Sequence, residues 1–415
     1  MSQSTKYSGR PFIIAWVLGC IFYFLEYVVR ASPAVMIPEL SSTFKVSVLT
    51  VSSILGVYYY TYAFTSLIAG VALDRAGAKH SISVGIGILS IGCILFAFPQ
   101  IFVGYSGRLF QGVGSAFAFT GCVYLASHGF PARYIATAIG ITQCVGMLGG
   151  SAGQFIVGPL IQNGLHVSLF WIGIGIICGL LGIIIFFVTP FEKKLAEENS
   201  NGALSLLQPY KLVFGNLQSY LSGIVSGLLF APTTIFAMTW GIAFFQHDRH
   251  VSYSSAVLIC SMVPLGWVVG APLLGWISDK IGRRKPVLIG GSAVMMLSFA
   301  QLIFLPGLMP GVITMIIFGI GSGAAMIPYT IIKEANPDKV KGSATGAINF
   351  LTFGVTALLN PVFAGLYGKS LMSTTDYAAH FKFAGIFWLA DIAVAILVSL
   401  LIKETGTKLT KPVRS

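Results

Sequence analysis

Twelve runs of roughly twenty or more predominantly apolar residues punctuate this chain. They lie at about 11–36, 48–74, 81–100, 104–128, 134–162, 167–189, 217–246, 253–277, 286–306, 310–333, 342–368 and 378–402. At 1.5 Å per residue, a helix of that length crosses the hydrocarbon of a bilayer. Transmembrane strands are about half as long and alternate apolar with polar positions, a pattern these runs lack. In hydrocarbon every backbone N–H and C=O needs a partner inside the protein. The reading is therefore an all-α membrane protein of twelve transmembrane helices. Composition agrees: 55% of residues are hydrophobic and 9% charged. The 48 glycines suit close helix approach in lipid.

A formal net charge of +12 could serve nucleic acid, but its placement argues otherwise. With the N-terminus cytoplasmic, 19 of the 25 Lys and Arg fall in the two tails and in loops around 75–80, 133, 193–211, 280–285 and 333–341. Only Lys45, Arg249, Lys369 and Lys382 fall on the opposite side, and Arg30 and Arg108 lie within or at the edge of helices. This bias is topological. The expectation is a multi-pass protein of a bacterial inner membrane, both termini cytoplasmic, with the lipid bilayer and no nucleic acid as partner. The first run carries Glu26 and Arg30, so it reads as a helix and not as a cleaved signal. The six cysteines all lie in apolar runs without metal spacing. There is no HExxH and no GxxxxGK[ST]. No metal, no cofactor and no enzymatic step is expected.

The stretch GVALDRAGAKH (Gly70 to His80) returns as GWISDKIGRRK (Gly275 to Lys285), with Asp74 and Asp279 205 residues apart. FPARYIATAIG pairs with NPDKVKGSATG at an offset of 206, and GVGSAFAF with GIGSGAAM at 207. Three matches at offsets of 205 to 207 indicate a tandem duplication. The predicted organisation is an N-terminal six-helix bundle (1–190), a polar linker (191–216), a C-terminal six-helix bundle (217–402) and a tail (403–415). Parallel repeats of this kind are a transporter architecture, with the substrate near the midplane between two pseudo-symmetric bundles. Each charged corner sits between the second and third helix of its half. Gly70, Gly77, Gly275 and Gly282 are expected to allow tight turns there. Arg75, Lys79, Lys280, Arg283 and Arg284 hold the loops on the cytoplasmic side. Asp74 and Asp279 are expected to act with them as a cytoplasmic gate that latches one state.

These residues resemble the major facilitator superfamily. Its signature loop, Gly-x-Leu-x-Asp-Arg-x-Gly-x-Lys/Arg-Lys/Arg, is matched at Gly70, Asp74, Arg75, Gly77 and Lys79, and again at Gly275, Asp279, Lys280, Gly282, Arg283 and Arg284. GRLFQGVG (Gly107 to Gly114) is similar to the family's fourth-helix motif, whose arginine, here Arg108, is linked to substrate or proton coupling. The resemblance implies alternating access by a monomer. GGSAGQFIVGPL (Gly149 to Leu160) fits the glycine-rich pattern of drug/proton antiporters only in part. EYVVRASPAVMIPEL resembles the first-helix region of organic-anion/proton symporters and of phagosomal amino-acid transporters.

Function is expected where the duplicated halves diverge. Arg108 aligns with Met315, Gln111 with Phe318, Glu26 with Pro232 and Arg30 with Phe236. Tyr23, Glu26, Tyr27 and Arg30 fall on one helical face. Glu26 lies about 20 Å from the cytoplasmic end and Arg30 about 30 Å. Intramembrane charges face a partner or a wet cavity. Arg30 and Arg108 are candidates for an anionic group, and Glu26 for a coupling proton. The competing readings are a Glu26–Arg30 pair that only anchors the helix end and an Arg108 that snorkels to the interface. Asp391, a lone acid in the last helix, is a second proton candidate or a structural hydrogen-bonding group. Of the tyrosines in YYYTY (Tyr58 to Tyr62), at most two should line the cavity. Gln111 and Gln143, with Trp240, Tyr329 and Asn349, complete the expected substrate wall.

The function expected is proton-coupled uptake of a small carboxylate-bearing solute, such as an amino acid or organic anion. The rivals are a proton-driven efflux antiporter for a drug or siderophore and a non-transporting membrane receptor.

Overall fold

The computed structural model describes residues 10–191, 208–337, 340–373 and 377–406. Twelve of its helices are long and apolar enough to cross a membrane. In chain order they are α1 (Arg10–Val35), α2 (Val48–Leu73), α3 (Arg75–Phe96), α4 (Ile101–Gly129), α5 (Ala138–Gln162) and α6 (Val167–Val188). The second six are α7 (Leu217–Gln246), α8 (Tyr253–Ile281), α9 (Lys285–Phe304), α10 (Gly311–Glu334), α11 (Ser343–Tyr367) and α12 (Lys382–Leu401). No strand occurs among the described residues. The chain has the expected fold of two six-helix bundles. Most of the expected linker, 192–207, lies outside the described residues.

Local chemistry sets the helix starts. The Ser47 side chain accepts from the Thr50 amide at the start of α2, Asn216 from Gln218 at α7, and Ser252 from Ser255 at α8. Each satisfies an amide that has no partner in the first turn. At the first charged corner there is almost no loop. The helix runs through Val48–Phe96 except at Gly77, with φ 71° and ψ 173°. Gly282, at φ 68°, closes α8 in the left-handed conformation. Gly70 and Gly275 are not turn residues, which corrects the expectation for them. Both are helical. A Cβ at Gly275 would meet nothing within 4 Å, and one at Gly70 only the Tyr210 hydroxyl at 3.6 Å. One left-handed residue per corner is enough to reverse the chain.

Not every proline breaks a helix. Pro264 and Pro272 lie within α8, and Pro361 within the helix that contains α11. Pro232 does change the geometry: Pro232–Trp240 in α7 is a π-helix. Proline removes a donor and clashes with the carbonyl four residues back, and a wider turn relieves both. Carbonyls in this segment accept side-chain donors. Thr239 Oγ1 donates to Thr234 O at 2.9 Å, and Gln154 Nε2, from α5, donates to Ala237 O at 2.6 Å.

At the end away from the basic loops, the two halves meet. Besides the Gln154 bond, Tyr253 Oη donates to Val35 O at 2.6 Å and Ser151 Oγ to Ser261 O at 3.0 Å. At the basic end a cavity of about 250 Å³ lies between α2, α4 and α11, beside Gly70, Thr120, His128, Tyr210 and Gly346. The halves are bonded together at one end and leave a cavity between them at the other. Gln154 gave no signal in the sequence, because a lone amide in an apolar helix does not reveal what it faces. Gln154→Leu removes one inter-half bond, and the population should shift about fivefold toward the form open at that end. A cysteine placed at Val257, packed beside Gly158, should then label about fivefold faster. An unchanged rate would show that this bond does not bias the two forms.

Candidate functional site

The helical spacing of Tyr23, Glu26, Tyr27 and Arg30 puts all four into the protein interior. Arg30 forms a direct ion pair with Glu26 through Nη2 and Oε1. The same carboxylate oxygen accepts a hydrogen bond from Tyr58 Oη of α2. Arg30 Nε also donates to Tyr58 Oη, at 3.3 Å. The Arg30 guanidinium carbon lies 4.4 Å from the Tyr27 ring centre, 4.8 Å from Tyr62 and 4.9 Å from Phe353 of α11. A guanidinium enclosed by ring faces exchanges hydration for the rings' negative quadrupoles.

Arg108 occupies the next layer. Its Nη1 donates to Gln111 Oε1 at 2.6 Å and to Val29 O at 3.4 Å, and its guanidinium carbon lies 4.8 Å from the Tyr58 ring. Gln111 in turn donates to Gly92 O at 3.3 Å. Arg108 is 1% exposed, so the snorkelling alternative is excluded. Tyr58 thus stands between two guanidiniums. This cluster holds two cations and one carboxylate, an excess of one positive charge in a buried region. Arg30 Nη1, Arg108 Nε and Glu26 Oε2 have no hydrogen-bond partner. Charge held in that setting is costly unless something compensates it.

The central cavity lies between the halves, beside this cluster. Tyr23, Tyr27, Tyr62, Phe119 and Gln143 line it from the first half. Phe230, Met326, Tyr329, Asn349 and Phe353 line it from the second. Each half contributes a tyrosine bonded to an amide. Tyr23 Oη donates to Gln143 Oε1 at 3.2 Å, and Tyr329 Oη to Asn349 Oδ1 at 2.6 Å. Asn349 Nδ2 is buried without a partner. Only about 10 Å³ is free, space for about one water. The rings of the two halves have closed on one another: Phe353 meets Tyr62 edge-on at 4.3 Å and lies parallel to Tyr59 at 6.5 Å.

Of the residues expected from the sequence, the structure brings Tyr23, Tyr27, Gln143, Tyr329 and Asn349 to this cavity. Glu26, Arg30, Arg108 and Gln111 form the layer behind its first-half wall. Trp240 is not among the lining residues. It packs on Tyr367 and Phe363 at 5.3 and 6.3 Å within its own half. Asp391 lies in α12, outside the lining, with neither oxygen hydrogen-bonded. Tyr62, Phe119, Phe230, Met326 and Phe353 were missed as individual residues. Tyr62 was visible only as one of the YYYTY tyrosines, and the others look like ordinary apolar helix residues.

At the basic end the second charged corner is bonded into its own half. Arg284 pairs with Asp279 at 2.5 Å and with Glu334 of α10 at 2.8 Å. Arg283 reaches Glu404, beyond α12, at 3.6 Å. Lys280 and Lys79 lie over the rings of Trp276 and Phe186, at 4.8 and 4.7 Å. Arg75 is exposed at the start of α3, and the Asp74 side chain lies outside the described residues. Burial pushes the Glu404 carboxyl up, but amide donors from Arg284, Gly406, Lys285 and Thr405 outweigh it and hold the group below its ordinary value. A depressed carboxyl contributes stability above its unfolded value, and loses it as pH falls through the folded one. Thermal unfolding should therefore show a loss below about pH 4.3 that Glu404→Gln removes. An identical acid limb in the variant would assign the loss to other carboxylates.

Comparison with known proteins places this geometry in a family. The profile of the Major Facilitator Superfamily matches residues 19–361. The riboflavin transporter RibZ of Clostridioides difficile (strain 630) is 24% identical over 88% of this chain and 91% of its own length. A hexuronate transporter of Bacillus subtilis (strain 168) is 25% identical over 94% of this chain and 95% of its own. Among solved structures, a bacterial homologue of the human lysosomal transporter Spinster, inward-facing and unoccupied, superposes with a TM-score of 0.71 at 15% identity, covering 97% of this chain and 98% of the other. With its duplicated charged corners, twelve helices and a match over most of its length, the chain belongs to the Major Facilitator Superfamily.

Proposed function

We propose that the protein takes up a small carboxylate-bearing solute together with a proton, by alternating access between its two bundles. The observation that carries this is the unequal charge beside the central cavity, where two buried cations, Arg30 and Arg108, stand with one carboxylate, Glu26, which pairs with Arg30. While Glu26 is ionised it pairs with Arg30, so an anion arriving alone must compete with that carboxylate for the guanidinium. Protonating Glu26 alone leaves two buried cations, which is costly in a membrane. A proton and a carboxylate arriving together restore the starting net charge and leave Arg30 bonded to the solute. The basic loops would face the cytoplasm, so the cavity at that end lies on the releasing side. The similarity to a hexuronate transporter supports the reading, since a hexuronate carries a carboxylate. Asp391 stands outside the lining, and the coupling step is assigned to Glu26.

The test is a thermal-shift panel on purified protein: neutral amino acids, mono- and dicarboxylates, sugar acids, nucleosides and hydrophobic cations. A ligand at 100 times its Kd should stabilise by about 2.7 kcal/mol. A carboxylate should shift the wild type and lose its effect in Arg30→Ala. Reconstituted vesicles should then accumulate that carboxylate when the outside is acidic. If only hydrophobic cations act, and the arginine variants respond normally, efflux replaces uptake. Binding without flux would point to a receptor.

A further inference from the structure

The closed cavity shows what shape the Arg30 site accepts, because the protein fills it with a side chain of its own. Phe353 comes from α11 of the opposite half, yet its ring lies 4.9 Å from the Arg30 guanidinium and edge-on to Tyr62 at 4.3 Å. It also stands parallel to the Tyr59 ring at 6.5 Å, with an interplanar angle of 9°. When the halves part to admit a solute, Arg30 and Tyr62 lose that ring. A solute that bound only through its carboxylate would leave those faces unmatched. A solute with a flat ring would restore the ring–ring and ring–cation contacts and add the charge.

The polar inventory points the same way. Four of the lining side chains are tyrosines and two are amides. Tyr23 and Tyr329 already donate to Gln143 and Asn349. A polyhydroxylated acid presents a donor and an acceptor at nearly every carbon, whereas two of the four tyrosine hydroxyls and both amide oxygens of the lining are already bonded to each other. Among the groups left over is a donor on the second-half side: Asn349 Nδ2, buried in the cavity wall without a partner. It calls for one acceptor on the ligand, on the side of the second half and away from Arg30.

Resting on the carboxylate reading above, we propose that the solute is a small planar aromatic or heteroaromatic carboxylate. Its ring takes the place of Phe353 against Tyr62, its carboxylate meets Arg30, and a ring acceptor meets Asn349. Phe353 is then a specificity-determining residue that competes with the ligand for one place.

The experiment compares dissociation constants of four probes on wild-type protein: benzoate, pyridine-3-carboxylate, cyclohexanecarboxylate and glucuronate. Benzoate and cyclohexanecarboxylate share charge and approximate size but differ in the flat π face. Benzoate should bind about tenfold more tightly, the value of one to two aromatic contacts. Pyridine-3-carboxylate should gain about a further fivefold from its ring nitrogen, and lose that gain in Asn349→Leu. Phe353→Leu removes the competing ring and should tighten benzoate binding severalfold, whereas a merely structural phenylalanine would weaken it. Equal binding of the two matched acids, or tightest binding of glucuronate, would overturn the planar-ring inference and leave carboxylate uptake standing. If none of the four binds, the planar-ring inference falls, and the carboxylate reading stands or falls on the amino acids and dicarboxylates of the wider panel.

Discussion

Glu26→Ala should be the most damaging single substitution in the first half. It leaves Arg30 and Arg108 buried with no carboxylate in the cluster, and removes the acceptor of the Tyr58 hydroxyl. Breaking a buried pair from one side costs about 3–5 kcal/mol, because the remaining charge is uncompensated. Arg30→Met should cost less. Glu26 keeps the Tyr58 hydroxyl, and Arg108 lies in the adjoining layer as a counter-charge. The double variant Glu26→Leu, Arg30→Met removes both charges at similar volume, and should recover most of the stability lost in Glu26→Ala. Transport should not recover, because the anion site and the proton carrier are both gone. Thermal unfolding and vesicle flux on the same three variants separate the two roles. A double variant that transports like the wild type would reduce the pair to a helix anchor and remove the basis of the proposed function.

Gly112→Ala carries the second large effect, and it acts through the same tyrosine. A Cβ at Gly112 would sit 2.0 Å from Thr61 Oγ1 and 2.3 Å from the Tyr58 carbonyl oxygen. The second of these is backbone, so relief requires α2 and α4 to separate. Overpacking of this kind costs about 1–3 kcal/mol, and here it also displaces the ring between the two guanidiniums. Gly173→Ala in α6 is the matched control. Its Cβ would meet nothing within 4 Å, and alanine should stabilise the helix by up to about 1 kcal/mol. If both substitutions were equally tolerated, α2 and α4 would not be held at the observed distance.

Gly112 and Gly173 look alike in the sequence, and the difference between them marks how far the sequence reaches. Twelve crossings, the duplication and the basic bias were legible in it. They depend on composition and period along the chain, which the bilayer converts directly into helices. The face shared by Tyr23, Glu26, Tyr27 and Arg30 was legible too, because 3.6-residue spacing is a local property. The role of Phe353 was not. It depends on α11 of one half lying against α2 of the other, and a phenylalanine in an apolar helix looks the same toward lipid or toward a guanidinium. Arg108 shows the opposite limit. Its position predicted an intramembrane cation, but only the packing of Tyr58 and Gln111 put it one layer behind the cavity. The chain's own periodicity determined which residues are charged or aromatic within the membrane. The contact between the two halves, made by residues far apart in sequence, decided which of them face one another.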